Sequence, residues 1–220
     1  LSNSADIVLV GPEAVIYVRN SESNEKAKMF AGITATDGFY LMSRKKIGKF
    51  DWSMLKGKEI MSWRPGSTPD VFLAEALRKH GLSPAKDVKL VNNIGPAARM
   101  GAWISGQADY AIFTEPNAST LEKDGKAFFA ASDGQEVGQV DYTGFVATDS
   151  YIKKHQKVIQ AWTNAIARAE RYVQSSSPAE IANAVSRFFP GLDLALLESA
   201  VTRNREYGIW KTTPTIEPGA

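Results

Sequence analysis

"SNSADIVLVGPE" at residues 2–13 and "SGQADYAIFTEP" at residues 105–116 follow one pattern, and their relation decides the fold. Aligned without gaps, Ser2 meets Ser105, Ala5 meets Ala108, Asp6 meets Asp109 and Ile7 meets Tyr110. Each copy runs into a short apolar strand that stops at a Gly, Pro or Glu, as two similar halves of one chain would.

The residues before the second copy show what belongs there. "EIMSW" at 59–63 is a strand candidate broken by "RPGS". Thr68 then suits a helix cap, with Pro69 at the first position and Asp70 in the first turn beside exposed amides. Phe72, Leu73, Ala76 and Leu77 form its apolar stripe, and "RKHG" ends it with cations and then Gly81. "VKLVNN" at 88–93 is a second strand, "GPAARMGAWISG" a second helix and "DYAIF" a third strand. Strand, helix, strand, helix, strand predicts a parallel α/β unit with loops at the carboxyl ends of its strands. If the first copy is the third strand of a like unit, "LSNS" at 1–4 is the tail of a helix. About 45 further residues of that unit are then expected upstream, with any export signal.

"TDGFYLMSRK" at 36–45 follows the first unit and "YTGFVATDSY" at 142–151 follows the second, so both are places for the chain to cross between two lobes. Residues 153–173 predict a long helix with Val158, Trp162, Ile166, Ala169 and Val173 on one face. A second helix runs from Pro178 to Pro190. A third, with Leu194, Leu197 and Val201 on one face, runs from Asp193 to near Gly208. These three helices are expected to return to the first lobe. The division expected is residues 1–42 with 145–220 in lobe 1, incomplete at its start, and 43–144 in lobe 2.

Composition bounds the function. The chain has 220 residues, 44% of them apolar, enough to bury a full core. Its 26 basic residues are scattered among 24 acidic ones, so the net charge of +2 leaves no footprint for nucleic acid. No apolar run reaches the ~20 residues of a membrane span. The absence of cysteine excludes disulfides, thiolate metal sites and cysteine nucleophiles.

"DWSMLKGKEI", "RPGSTPDVFLAEALRKHGL", "SGQADYAIFTEP" and "KKHQKVIQAWTNAIARA", in this order, resemble the substrate-binding proteins of ABC importers in the nitrate, sulfonate, taurine and thiamine-precursor group. The resemblance extends from Ala5 to about Tyr207. It implies an α/β, two-lobed periplasmic-binding-protein fold of type II, with a small solute held in the cleft and delivered unchanged to a membrane permease and its ATPase. No cofactor or metal is implied. A monomer is expected, periplasmic or held outside the cell as a lipoprotein.

In parallel α/β units ligands bind outside the carboxyl ends of the strands. Gly66, Ser67 and Thr68 combine free amides, two hydroxyls and the positive end of a helix, which suits a sulfonate, phosphate or carboxylate; an efficient helix cap would read the same way. Arg64 is placed to add a charge-assisted contact. Gly11 stands at the corresponding strand end of the first copy. Glu13 and Glu115 occupy nearly equivalent places in the two copies, either facing a cationic part of the ligand or lying on the surface. Trp63 either stacks on a planar ligand or belongs to the core. Asn93 ends a strand, and Thr34, Asp37, Tyr142 and Thr143 sit near the crossings.

Enzyme readings find little support. Neither His80 nor His155 has a motif around it, and no nucleophile elbow, zincin motif, Walker loop or dinucleotide fingerprint is present. Thiamine-pyrimidine synthases share this architecture but carry a cysteine-rich motif that is missing here. A menaquinone-pathway-like enzyme and a ligand-sensing domain remain as alternatives.

Overall fold

The computed structural model describes residues 4–217. The helix tail expected at 1–4 therefore lies outside the described residues, except for Ser4. In chain order the elements are β1 (Val8–Val10), α1 (Pro12–Asn20), β2 (Ala27–Thr34), β3 (Phe39–Ser43), β4 (Glu59–Met61), α2 (Thr68–Lys79), β5 (Lys89–Val91), α3 (Pro96–Ile104) and β6 (Tyr110–Thr114). They continue with α4 (Asn117–Lys123), β7 (Phe128–Ser132), α5 (Asp133–Val137), β8 (Thr143–Thr148), α6 (Asp149–Lys154), α7 (Gln156–Ser175), α8 (Pro178–Val185) and α9 (Leu194–Glu206).

Two sheets result, ordered β1-β8-β2 and β5-β4-β6-β3-β7. The unit expected at 59–114 is present: β4 runs parallel to both β5 and β6. The two copies of the opening pattern are β1 and β6, and each leads into a helix and a further strand. The strand that follows each such set then crosses to the other sheet. β3 inserts antiparallel between β6 and β7, and β8 inserts antiparallel between β1 and β2. The two halves thus exchange one strand each.

The sheets part between Thr34 and Phe39 and between Val137 and Thr143. The boundary expected after residue 42 falls inside β3, which belongs wholly to the five-stranded sheet. The residues after β8 do not all return to the first sheet either. α6 and α7 pack on it, but α9 packs on α4 of the other. The tail then runs back along β2: the Ala35 amide donates to the Ile209 carbonyl (2.8 Å) and the Lys211 amide to that of Ile33 (2.9 Å). This is a third connection between the sheets, where two had been expected.

The five-stranded sheet is covered on both faces, which is why β3 reads "FYLMS" without a polar break until its end. Phe39 and Leu41 pack with Leu55, Ile60, Leu73, Leu77 and Ile112 on one face. Tyr40 and Met42 pack with Met61, Trp103, Ala111 and Phe113 on the other, following the period of two along a strand. The stripe Phe72, Leu73, Ala76 and Leu77 of α2 is buried as expected. That of α7 is not. The expected long helix breaks at His155, and Val158 and Trp162 stay exposed, with the Trp162 ring edge-on to Phe145 of β8 at 5.2 Å. No helix among the described residues is long and apolar enough to cross a membrane.

Arg99, on α3, is buried without a carboxylate partner. Its guanidinium donates to the carbonyls of Met61 (3.0 Å), Ser62 (2.5 Å) and Ile112 (2.8 Å), between the Trp63 and Phe113 rings. Burial lowers its pKa to about 10, so it is still a cation at neutral pH. It secures the carboxyl end of β4 to the middle of β6. Arg99→Met is expected to lower the unfolding free energy by about 3 kcal/mol in urea titrations, since it strands three buried acceptors. Arg99→Lys should recover less than half, because an ammonium cannot fork across the three carbonyls.

Candidate functional site

β4, β5 and β6 end at one edge of their sheet, where α2 begins. Because β3 and β7 run antiparallel to this set, the start of β3 and the end of β7 reach the same edge: Phe39 pairs with Thr114, and Tyr40 with Ser132. Helix α1, from the three-stranded sheet, faces this edge.

The loop before α2 is held by its own side chains. The Ser62 hydroxyl and the Gly66 amide donate to the two oxygens of Asp70, at 2.9 and 3.1 Å. Ser67, not Thr68, is the residue before the helix, and it makes no side-chain cap; its hydroxyl donates to the Arg64 carbonyl at 2.6 Å. Thr68 is the first helical residue, and its hydroxyl donates across the gap to the carboxylate of Glu13 on α1. Tyr17 of α1 donates to the Gly66 carbonyl at 2.8 Å. Gly11 permits this approach, since a Cβ there would collide with the Glu13 carboxylate and the Thr68 hydroxyl. The positive end of a 12-residue helix thus faces a carboxylate from the other sheet, while the Gly66 and Ser67 amides expected to be free are spent on Asp70 and on the Arg64 carbonyl, each at 3.1 Å.

Gly11, Glu13, Gly66, Ser67 and Thr68 therefore come together. Arg64 stays exposed on the same loop, and Asn93 is exposed just beyond β5. Trp63 packs edge-on against Phe39 at 5.1 Å with the Arg99 guanidinium over its ring at 4.7 Å, which ties it to the core. Thr34 and Thr143 are partners across β2 and β8. Tyr142 is buried, its ring edge-on to Phe72 of α2 at 5.0 Å. Glu115 is committed elsewhere. Its carboxylate, 2% exposed, accepts from the Ser119 amide and hydroxyl (3.1 and 2.9 Å) and from Arg203 of α9 (2.8 Å). Arg203 also pairs with Glu122, so this carboxylate joins α9 to the five-stranded sheet instead of waiting for a ligand.

Asp37 and Asp133 lie at the edge as well, each 0% exposed. Burial raises the Asp37 pKa to about 7, against the lowering effect of the Phe39 amide. Burial, then the Asp37 charge and that of Glu136, hold Asp133 well above the carboxylate range. Burial raises the Tyr142 phenol too, followed by the Asp37 charge. Asp133 was missed in the sequence because residues 128–132 were not read as a strand; so read, "FFAASDGQ" places it at a strand's carboxyl end. Among the described residues no group of three metal-ligating side chains is present.

The NMT1-like family model matches residues 14–188. The chain is 36% identical over 216 residues to "Putative binding protein YtlA" of Bacillus subtilis (strain 168), covering 98% of this chain and 65% of that protein. It is 32% identical over 108 residues to the taurine-binding periplasmic protein of Escherichia coli (strain K12), covering 48% of this chain and 32% of the relative. The chain thus spans less than two thirds of the length of these curated relatives. The solved alkanesulfonate-binding protein SsuA from Xanthomonas axonopodis pv. citri, bound to MOPS, shares the fold with a TM-score of 0.73 at 22% identity, covering 90% of this chain and 66% of that one.

Two outcomes are expected. Arg203→Met leaves the Glu115 carboxylate buried and unpaired and should cost about 3 kcal/mol in chemical denaturation. The raised carboxyls Asp37 and Asp133 hold protons that the unfolded chain releases above an ordinary Asp pKa of about 3.9. The stabilisation from Asp37 is thus complete below that pH and lost as pH rises through about 7, and that from Asp133 is lost in the same direction. Wild type should lose stability relative to Asp133→Asn between pH 4 and 8; a constant difference in urea midpoint would contradict this.

Proposed function

Because the chain belongs to the NMT1-like family, we propose that it is an extracytoplasmic solute-binding protein that hands a small anionic or zwitterionic organic solute to an ABC permease and its ATPase. The observation that carries this reading is the Glu13 carboxylate resting on the Thr68 hydroxyl: an anion from one sheet already occupies the helix start of the other. In the proposed cycle the acidic head of a sulfonate or carboxylate takes that position, where the Thr68 hydroxyl and the helix dipole favour it. Contacts to α1 on one side and α2 on the other favour the arrangement with the sheets close together. The solute then shifts the population toward that arrangement by the difference in its affinity for the two. The crossings after β2 and before β8, with the tail beside β2, are the segments about which the sheets would move. No covalent step is required. The printed names of the relatives, a binding protein and a taurine-binding periplasmic protein, support the same class.

A thermal-shift screen of the full-length protein against alkyl and aryl sulfonates, aminosulfonates, aminopyrimidines and aromatic carboxylates tests this. A ligand at a hundred times its dissociation constant stabilises the fold by about 2.7 kcal/mol. Recovery of that ligand unchanged supports binding for transport, and its consumption points to an enzyme. In Ser67→Ala with Thr68→Ala, affinity for the ligand should drop about tenfold or more, beyond any loss of stability. Unchanged affinity with lowered stability would make the α2 start a purely structural turn.

A further inference from the structure

Asp37 and Asp133 meet because β3 begins where β7 ends, and this junction lies on the sheet edge that carries the start of α2. Helix α5, which starts with Asp133, packs against α2. Gly134 allows the close fit, as a Cβ there would strike the Asp37 carbonyl and the Thr36 hydroxyl. The first oxygen of Asp37 accepts the Phe39 amide at 2.8 Å. Its second oxygen has only the Tyr142 hydroxyl beside it, and both oxygens of Asp133 have no hydrogen-bond partner among the described residues.

Nothing charged nearby compensates them. The groups that act on the pair from neighbouring elements are Tyr142 from the second crossing and Glu136 from α5, with Glu13 of α1 acting on Tyr142 in turn. Glu136 is itself engaged with His80 (2.7 Å), and its carbonyl accepts from Lys79 (2.8 Å). The Thr36 hydroxyl is committed to the carbonyls of Gly134 and Gly138. An independent observation points the same way. Tyr142, 7% exposed, turns its hydroxyl toward the Asp37 carboxyl in a loose hydrogen bond that falls short of full geometry, and among the described residues no other group satisfies it. Buried polar atoms are almost always paired, so two open carboxylate oxygens on Asp133, beside an Asp37–Tyr142 pair that is only loosely bonded, lack a donor-rich cation.

We infer that Asp37, Asp133 and Tyr142 form the seat for a primary ammonium or similar N–H cation on the solute, whose acidic head lies at the start of α2. An ammonium brings three donors, enough for the two open oxygens of Asp133 and the loosely bonded one of Asp37, and its charge allows both carboxyls to ionise side by side, which they cannot do alone. The pair is covered with the sheets in their present arrangement, so the cation enters when they part about the crossings and is enclosed when they close. This selectivity rests on the solute-binding reading above. It narrows the solute to a zwitterion with its charges at opposite ends.

Calorimetric titration of the full-length protein with 2-aminoethanesulfonate, 2-hydroxyethanesulfonate and ethanesulfonate separates the cases. The amine should bind at least about tenfold tighter than either non-amine. Asp133→Asn, and separately Asp37→Asn, should abolish that preference while leaving the affinity for ethanesulfonate within about threefold. Below pH 7 the amine alone should release protons on binding, seen as a heat that depends on the buffer. Ethanesulfonate binding as tightly as the amine, or a preference untouched in both variants, overturns the cation seat and leaves the binding-protein reading standing. Failure of all three probes to bind overturns the anion position at α2 and the cation seat with it.

Discussion

A single buried guanidinium fixes the edge on which everything else is built. Arg99 gathers carbonyls from the end of β4 and the middle of β6, and one of them belongs to Ser62, just beyond β4. The Ser62 hydroxyl holds Asp70 of α2, and Asp70 holds the Gly66 amide. The position of the helix start is therefore set by a chain of bonds that begins in the core of the five-stranded sheet. A buried cation without a carboxylate is costly, and three carbonyl acceptors and two aromatic faces offset that cost. A neutral side chain there would remove the anchor.

The two acidic systems at the interface of the sheets behave differently because one has its counter-ion and the other does not. Glu115 is paired with Arg203, so α9 is fastened to the five-stranded sheet although it follows strands of the other. Asp37 and Asp133 have no such partner and are pushed toward their neutral forms. A second buried pair, Lys211 with Asp141, fastens the tail where it returns along β2. Fixed ion pairs thus flank an unneutralised carboxyl pair. The former hold the segments in place, and the latter leaves electrostatic work for whatever enters.

Much of the architecture was legible because it rests on periodicity and punctuation. Residues 59–114 alternate strand and helix with Gly81 and Gly106 as stops, and the repeated Ala-Asp entry marks β1 and β6. The crossings were legible from the two Gly-aromatic strands, but their exchange between sheets was not, since pairing partners leave no local trace. The start of α2 was legible as a turn into a helix, one residue away from the cap expected at Thr68. The diversion of Glu115 to Arg203 depends on where α9 packs, 88 residues away, and no spacing rule reaches that far. The apolar face of α7 misled for a related reason: periodicity gives the face and says nothing of what covers it.

The exchanged strands have a consequence for how the molecule comes into being. β1 and β2 do not pair with each other; both wait for β8, more than a hundred residues later in synthesis. When the first of these strands leaves the ribosome, its partner has not been translated. β3, in turn, is made before either of its neighbours. Contacts this distant in sequence make folding slow and leave strand edges open in the meantime, so the nascent chain depends on staying unpaired until residue 148 has emerged.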